Sequence, residues 1–409
     1  MIKRILAIVF VYLCTTLAWV ILGTTMSIRS TTQDEKLKNE VGQLWGTVQV
    51  QKAPSVFYVT KQDRRIETDR GPEVLTQTTE HFTPLDASRI AADLHLEHRQ
   101  RGLMWYSTYG VNFAGKYRVK NNTSETHDFV FAFHFPIQQA VYDNFKISVG
   151  GKEIPNIELS SGEIRQTILL NPSQTAEIEI AYQTHGMDEW AYDFGSNVNQ
   201  IKDFSLTMNT DFADIDFPQR SISPTEKTRT DKGWRLDWKY SNLLSGVQIG
   251  MLMPRKLNPG PWVSQVTFSA PVSLFLFFFL LFVFTTVKQI KIHPMNFFFL
   301  GAAFFSFHLL LSYLVDHLSI HISFAVCSAV SIFLVVSYMR LVVDRRFAFV
   351  EVGISQFIYL VLFSYTFFFE GYTGLAVTIL CVITLFIVMQ FTGRVDWEEL
   401  FQKGGKRPN

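Results

Sequence analysis

Five stretches in the C-terminal third are apolar on every face: Phe268–Val287, Phe297–Val315, Ile322–Met339, Val352–Phe369 and Tyr372–Phe391. Each runs for about 18–20 residues, the length an α-helix needs to cross roughly 30 Å of hydrocarbon. A helix in a soluble core rarely stays apolar all round for so long. Backbone groups in lipid have no water to bond, so only helices and closed barrels span it. Barrel strands would alternate, and Leu274-Phe275-Leu276-Phe277-Phe278-Phe279-Leu280-Leu281 does not. These stretches are predicted transmembrane helices. A sixth opens the chain, where Met1-Ile2-Lys3-Arg4 leads into the nearly continuous apolar run Ile5–Gly23. A cleaved signal peptide would usually have a core of roughly 7–15 residues and end in an Ala-x-Ala-like site. This run is longer and ends Leu22-Gly23-Thr24-Thr25, so an uncleaved anchor is expected.

Between the first and second helices the pattern changes period. Ser27–Gln43 is polar and helix-compatible and reads as a stalk. From Trp45 onward, alternation predicts strands. Phe129, Phe131, Phe133 and Phe135 share one face, with Val130, Ala132 and His134 on the other. Ile178, Ile180 and Tyr182 alternate with glutamates, and Phe204, Leu206 and Met208 with small polar residues. Trp234, Leu236, Trp238 and Tyr240 repeat the pattern, as do Val247, Ile249 and Met251. Asn121-Asn122, Gly150-Gly151, Ser160-Ser161-Gly162, Asn171-Pro172 and Asp231-Lys232-Gly233 mark turns, and Asn121-Asn122-Thr123-Ser124 is expected to be a hairpin turn. Half-buried strands with frequent turns predict an antiparallel sandwich or open barrel. Pro84–Ala92 is expected to form one short helix, and Pro254–Pro261 a linker. Pro271 is expected in the first turn of the helix that follows, where its missing N–H costs nothing.

Charge orients this plan. Eleven basic residues flank the predicted helices at Met1–Arg4, Lys288–Met295, Arg340–Arg346 and Gly393–Asn409. The opposite connections, Asp316–His321 and Glu370-Gly371, carry no Lys or Arg. Cytoplasmic loops accumulate Lys and Arg, so both termini are expected in the cytoplasm and residues 27–265 in the periplasm. The net charge of +1 gives no sign of a nucleic-acid partner. Cys14, Cys327 and Cys381 all lie in apolar segments, so the exterior part has no disulfide to staple it. The expected architecture is an α-helical polytopic membrane protein of six transmembrane helices with an inserted β-rich, sandwich-like domain. Its parts are an anchor at 1–26, a periplasmic domain at 27–265 and a five-helix domain with a short tail at 266–409.

Chemistry is sparse. His95-Leu96-Glu97-His98 lacks the two histidines four residues apart that a metalloprotease helix needs, and reads as surface strand. Asp211, Asp214 and Asp216 lack the spacing and the glycine of a calcium loop. No metal or cofactor is expected, and no catalytic nucleophile arrangement is found. Ionisable residues at membrane depth stand out against this background, because burying them in hydrocarbon is costly. His308 sits near mid-span with Ser312 a turn away, and Asp316, His317, His321 and Glu370 gather at the outer helix ends. Glu351 lies within reach of Arg340 or Arg345. The helices show no Gly or Pro breaks at corresponding points of two halves, as a transporter would usually have.

Ile292-His293-Pro294, then Asp316-His317 after an apolar helix, then Arg394-Val395-Asp396-Trp397 after the last, resemble the CreD family of inner-membrane proteins. Leu44-Trp45-Gly46, Arg101-Gly102-Leu103 and the run Tyr106–Phe113 with Gly115 beyond resemble the family's opening strands. The order of parts matches as well: an anchor, a periplasmic domain, then a block of helices. The resemblance implies an envelope-integrity protein linked to a carbon-source-responsive two-component regulon, colicin tolerance and β-lactam response. It implies no enzyme activity and no ligand. It marks His293, Asp316, His317, Arg394, Asp396 and Trp397 as matching positions. Arg394 is expected to anchor the last helix at the headgroups, and Trp397 to sit in the interfacial aromatic belt. The expected partners are the lipid bilayer and an unidentified periplasmic protein or envelope component. A small-solute or proton-coupled transporter is the alternative, and an intramembrane hydrolase built on Ser312 and His308 is a third reading.

Overall fold

The computed structural model describes residues 2–68, 71–102, 104–138, 140–155, 162–195, 201–244, 247–369 and 371–393. They form two compact units: a helical one from the two ends of the chain, up to Lys36 and from Leu257, and a β-rich one, Leu37–Lys256.

Among the described residues six helices are long and apolar enough to cross a membrane: α1 (Ile2–Trp45), α2 (Pro259–Val287), α3 (Pro294–Leu314), α4 (Ile320–Val342), α5 (Arg345–Phe368) and α6 (Thr373–Thr392). The polar stretch Ser27–Gln43 continues α1 without a break. In α2 the helix starts at Pro259, so Pro271 lies well inside it rather than in its first turn. The phenol of Tyr12 on α1 donates to the Pro271 carbonyl at 3.2 Å. Lipid gives helices little hydrophobic reason to associate, so close packing and polar bonds between helices must hold the unit together. Phe277 of α2 and Phe304 of α3 are fully buried against each other at 5.7 Å. Gly301 of α3 faces Thr15 of α1, and a Cβ there would come within 3.2 Å of its methyl group. Large apolar side chains on the other faces, such as Phe333 and Leu341, stay exposed.

α5 departs from expectation. The sequence shows no proline in this span, yet Ala348–Val352 and Phe357–Leu362 are π-helical and Thr366–Phe368 is a 3₁₀ turn. A π turn leaves backbone carbonyls free for other donors, and such turns concentrate at functional positions.

Among the described residues the β-rich unit has fifteen strands. The first eight are β1 (Gln49–Lys52), β2 (Ser55–Thr68), β3 (Gly71–Phe82), β4 (Ala87–Arg101), β5 (Met104–Lys120), β6 (His127–His134), β7 (Asp143–Val149) and β8 (Lys152–Glu153). Then come β9 (Glu163–Leu170), β10 (Thr175–Met187), β11 (Glu189–Asp193), β12 (Ile201–Thr210), β13 (Glu226–Arg229), β14 (Trp234–Leu243) and β15 (Ile249–Leu252). They make an eight-stranded sheet in the order β13-β14-β12-β4-β5-β10-β7-β8, a four-stranded sheet β3-β2-β6-β9 and a three-stranded sheet β1-β11-β15. The alternation read from the sequence is real: Phe129, Phe131 and Phe133, Ile178, Ile180 and Tyr182, and Leu206, Met208, Leu236 and Trp238 all point into one core. Gly150 and Gly151 close the β7–β8 hairpin with positive φ, and Gly233 lies in the β13–β14 hairpin.

Three local expectations are corrected. The sheets are not purely antiparallel, since β4 pairs with β12 and β1 with β11 in parallel. The segment Pro84–Ala92 is not a helix: Ala87 opens β4, a 15-residue strand between β5 and β12. Alanines favour helix locally, but Ile90, Ala92 and Leu94 bury one strand face, and that tertiary gain overrides propensity. Asn121-Asn122 is not a hairpin turn, because β5 and β6 belong to different sheets. Asn121 is instead fully buried, donating to the carbonyls of Glu125 and Leu170.

Candidate functional site

In the helical unit the polar groups form a series along the bundle. At the α3–α4 turn the chain leaves its apolar run, and Ser319 starts α4 with its carbonyl accepting Ser323 N–H at 2.9 Å. There Arg29 of α1 makes an ion pair with Asp316. Eight residues back on α3, about 12 Å at 1.5 Å per residue, His308 is buried at 1% exposure. Ten residues back from Arg29, Trp19 meets it edge-on at 5.6 Å and 86°. α1 and α3 therefore run parallel and meet at Thr15–Gly301, Trp19–His308 and Arg29–Asp316.

His308 Nδ1 faces the Phe304 carbonyl of its own helix at 3.4 Å. Its Nε2 and the indole Nε1 of Trp19 find no hydrogen-bond partner among the described residues. Ser312 Oγ donates to the Leu309 carbonyl at 2.7 Å, so serine and histidine share a helix without forming a nucleophile pair. Further along, Gln356 of α5 donates to Ser331 Oγ on α4 at 3.0 Å, and Ser331 donates to the Ala303 carbonyl on α3 at 2.9 Å. Gln356 Oε1 also lacks a partner among the described residues. The π turns of α5 supply two ties to α2. Ser273 donates to the carbonyl of Tyr359 in one, and Glu351 in the other pairs with Lys288 rather than with Arg340 or Arg345. Tyr359 reaches α6 through Thr384 Oγ1 at 2.7 Å.

Of the expected polar rim, Asp316, His317 and His321 lie at the α3–α4 turn. Asp316 is taken by Arg29, His317 is exposed, and His321 stacks on Phe368 at 4.9 Å. Phe368 in turn packs on Trp262, whose indole donates to the Phe367 carbonyl at 3.0 Å. His293 caps α3, its Nδ1 accepting the Met295 N–H at 3.2 Å. Glu370, Arg394, Asp396 and Trp397 lie outside the described residues. Arg29, Trp19, Trp262 and Gln356 escaped the sequence reading. Gln356 carries no charge, and the other three sit at segment ends or among apolar neighbours. Arg29 alone carried a signal, as a lone cation just past an apolar run.

Among the described residues no three His, Cys, Asp or Glu side chains lie together as metal ligands would. On β4, His95 faces Asp211 at 3.4 Å, Glu97 pairs with Arg99, and His98 bonds the Pro254 carbonyl at 2.9 Å.

The β-rich unit has a separate feature. Where its three sheets meet, an open slot of about 290 Å³ is lined by Val56, Phe82, Tyr192, Phe194 and Phe204, with Lys202 at its side. Burial raises the Tyr192 phenol well above its ordinary value. The volume is at the small end for ligand sites, and the lining is apolar with one cation.

Among solved structures, the chain is similar to a Legionella pneumophila protein described as nutrient binding, at 12% identity and a TM-score of 0.29. That match covers 47% of this chain and 73% of the other. It is also similar to an M1 zinc metallopeptidase from Deinococcus radiodurans, at 9% identity and a TM-score of 0.26, covering 42% of each chain. Scores of this size do not establish a common fold. No curated protein matches the chain. The family model described as inner membrane protein CreD matches residues 1–398, from the first apolar helix to beyond the last. With six helices fit to span a membrane and a β-rich unit between the first two, this chain belongs to the CreD family of inner membrane proteins.

Proposed function

We propose that the protein acts without catalysis in envelope integrity or envelope stress response, through a β-rich unit held in the periplasm. In this reading all six helices cross the inner membrane and both termini are cytoplasmic. The observation that carries it is the placement of the whole unit Leu37–Lys256 between the first and second apolar helices. One crossing by α1 puts everything up to α2 on the side opposite the basic N-terminus. The slot at the junction of the three sheets is the surface on which a periplasmic component would bind. A photo-crosslinking residue in place of Phe82, at the slot rim, should capture an envelope component in intact cells. A deletion strain complemented with Ser88→Trp, which fills the slot, should stay sensitive to envelope stress. Full complementation by that variant, or a reporter after Asn409 active only outside the cell, would sink the reading.

A second reading, a proton-coupled or small-solute transporter, is favoured by the unpartnered Nε2 of His308 and Oε1 of Gln356 inside the helical unit. Buried polar atoms without partners are costly and mark ion and substrate paths. Proteoliposomes that show solute-dependent proton flux, abolished by His308→Phe, would support it over the first.

A further inference from the structure

On the lipid-facing side of α4 and α5 runs an apolar groove of about 680 Å³. Small residues make it: Ala329 and Ser337 on α4 and Gly353 on α5, where a Cβ would stand 3.4 Å from Val336 of α4. Phe333, Phe349 and Phe357 form its walls and are exposed on the membrane-facing surface. From Ala329 to Arg340 the floor spans eleven residues, about 16 Å of helix. That is close to one leaflet's share of the hydrocarbon, half of roughly 30 Å.

The groove ends at Arg340, in the last turn of α4. Arg345 and Arg346 follow in the next turn, exposed like Arg340, and none of the three makes an ion pair among the described residues. Asp344 is the one acidic residue between them, and its carboxylate caps α5 by accepting the Arg346 N–H at 3.0 Å. The neighbouring cation Lys288 is paired with Glu351. An apolar channel one leaflet long that ends in guanidinium groups with no ion pair among the described residues matches a phospholipid with an acyl chain below and an anionic headgroup above.

A comparison within the same unit sharpens this. A second apolar groove, about 430 Å³ between α1 and α2, runs along Phe282, which stands beside Arg4. Arg4 reaches Thr285 Oγ1 at 3.4 Å and lies over the Phe282 ring, so its charge is already engaged by the protein. The grooves are alike in lining and differ in the freedom of the cation.

We propose that the α4–α5 groove is a binding site for an anionic bilayer phospholipid, with Arg340 as its headgroup ligand. The site depends only on the helical unit and holds whichever way the chain is oriented in the membrane. The test is native mass spectrometry of the full chain released from mixed micelles holding equal phosphatidylglycerol and phosphatidylcholine. The wild-type chain should retain phosphatidylglycerol preferentially. Arg340→Gln should lower that occupancy roughly fivefold, the effect of one arginine at an anionic headgroup, and leave phosphatidylcholine unchanged. Ala329→Trp, at an exposed position, should exclude both lipids, and Arg4→Gln should change nothing. If Ala329→Trp fails to fold, Arg340→Gln decides alone, because Arg340 is exposed in the last helical turn. An unaltered preference in Arg340→Gln, an equal loss in Arg4→Gln, or displacement of the lipid by inorganic phosphate would overturn the proposal.

Discussion

Gly46 gives the sharpest test of how α1 ends. It follows Trp45, has φ of +95°, and donates its N–H to the Gly42 carbonyl at 2.9 Å, as a left-handed helix cap does. A Cβ there would lie 2.3 Å from the carbonyl oxygen of His185 on β10, which is backbone and cannot rotate away. Gly46→Ala therefore carries two costs. The left-handed conformation costs an L-residue about 1–2 kcal/mol. Relieving the overlap requires β10 or the helix end to move, at about 1–3 kcal/mol. The sum, roughly 2–5 kcal/mol, corresponds to a fall of about 5–15 °C for a unit of this size. Gly150→Ala separates the terms, since Gly150 has φ of +56° and nothing within 4 Å of the added methyl. It should show the conformational cost alone, about 1–2 kcal/mol. The assay is thermal unfolding of the full chain in detergent, followed by circular dichroism at the β-sheet band. If the two variants melt together, the close approach of Gly46 to His185 is not present and the argument for this junction fails.

Two further outcomes follow from the same geometry. Arg29→Ala and Asp316→Ala should each destabilise the helical unit by about 1 kcal/mol, with a double-mutant coupling of similar size; coupling below about 0.3 kcal/mol would refute the ion pair. In the β-rich unit Asp237 is buried, which opposes its charge, but hydrogen bonds from Thr207 at 2.6 Å and Arg235 at 3.1 Å outweigh burial and hold its carboxyl below the ordinary range. Its contribution is therefore complete above the unfolded-state value of about 4 and is lost as pH falls through the lower folded one. Asp237→Asn should lower stability at neutral pH and flatten the loss on acidification below about pH 4; an unchanged acid slope would count against it.

What the sequence determined by itself rests on local physics. Every backbone group in lipid must be satisfied within its own segment, so the composition of each apolar run was enough to mark the six helices. Strand alternation was legible for a similar reason: a half-buried strand writes its burial pattern into successive residues, as at Phe129–Phe133 and Ile178–Tyr182. The family was legible too, from short motifs kept in order at helix ends. The candidate site was only half visible. His308 and Asp316 could be picked out as ionisable residues near apolar runs, but their partners Trp19 and Arg29 lie some 290 residues away in the chain. Tertiary structure alone decided that Ala87–Ala92 is strand, that β4 lies parallel to β12, that Glu351 pairs with Lys288, and that α5 opens into π turns. Each of these depends on which distant surface arrives beside a segment. That choice is made by summed burial and hydrogen bonding across the fold, and no window of neighbouring residues contains it.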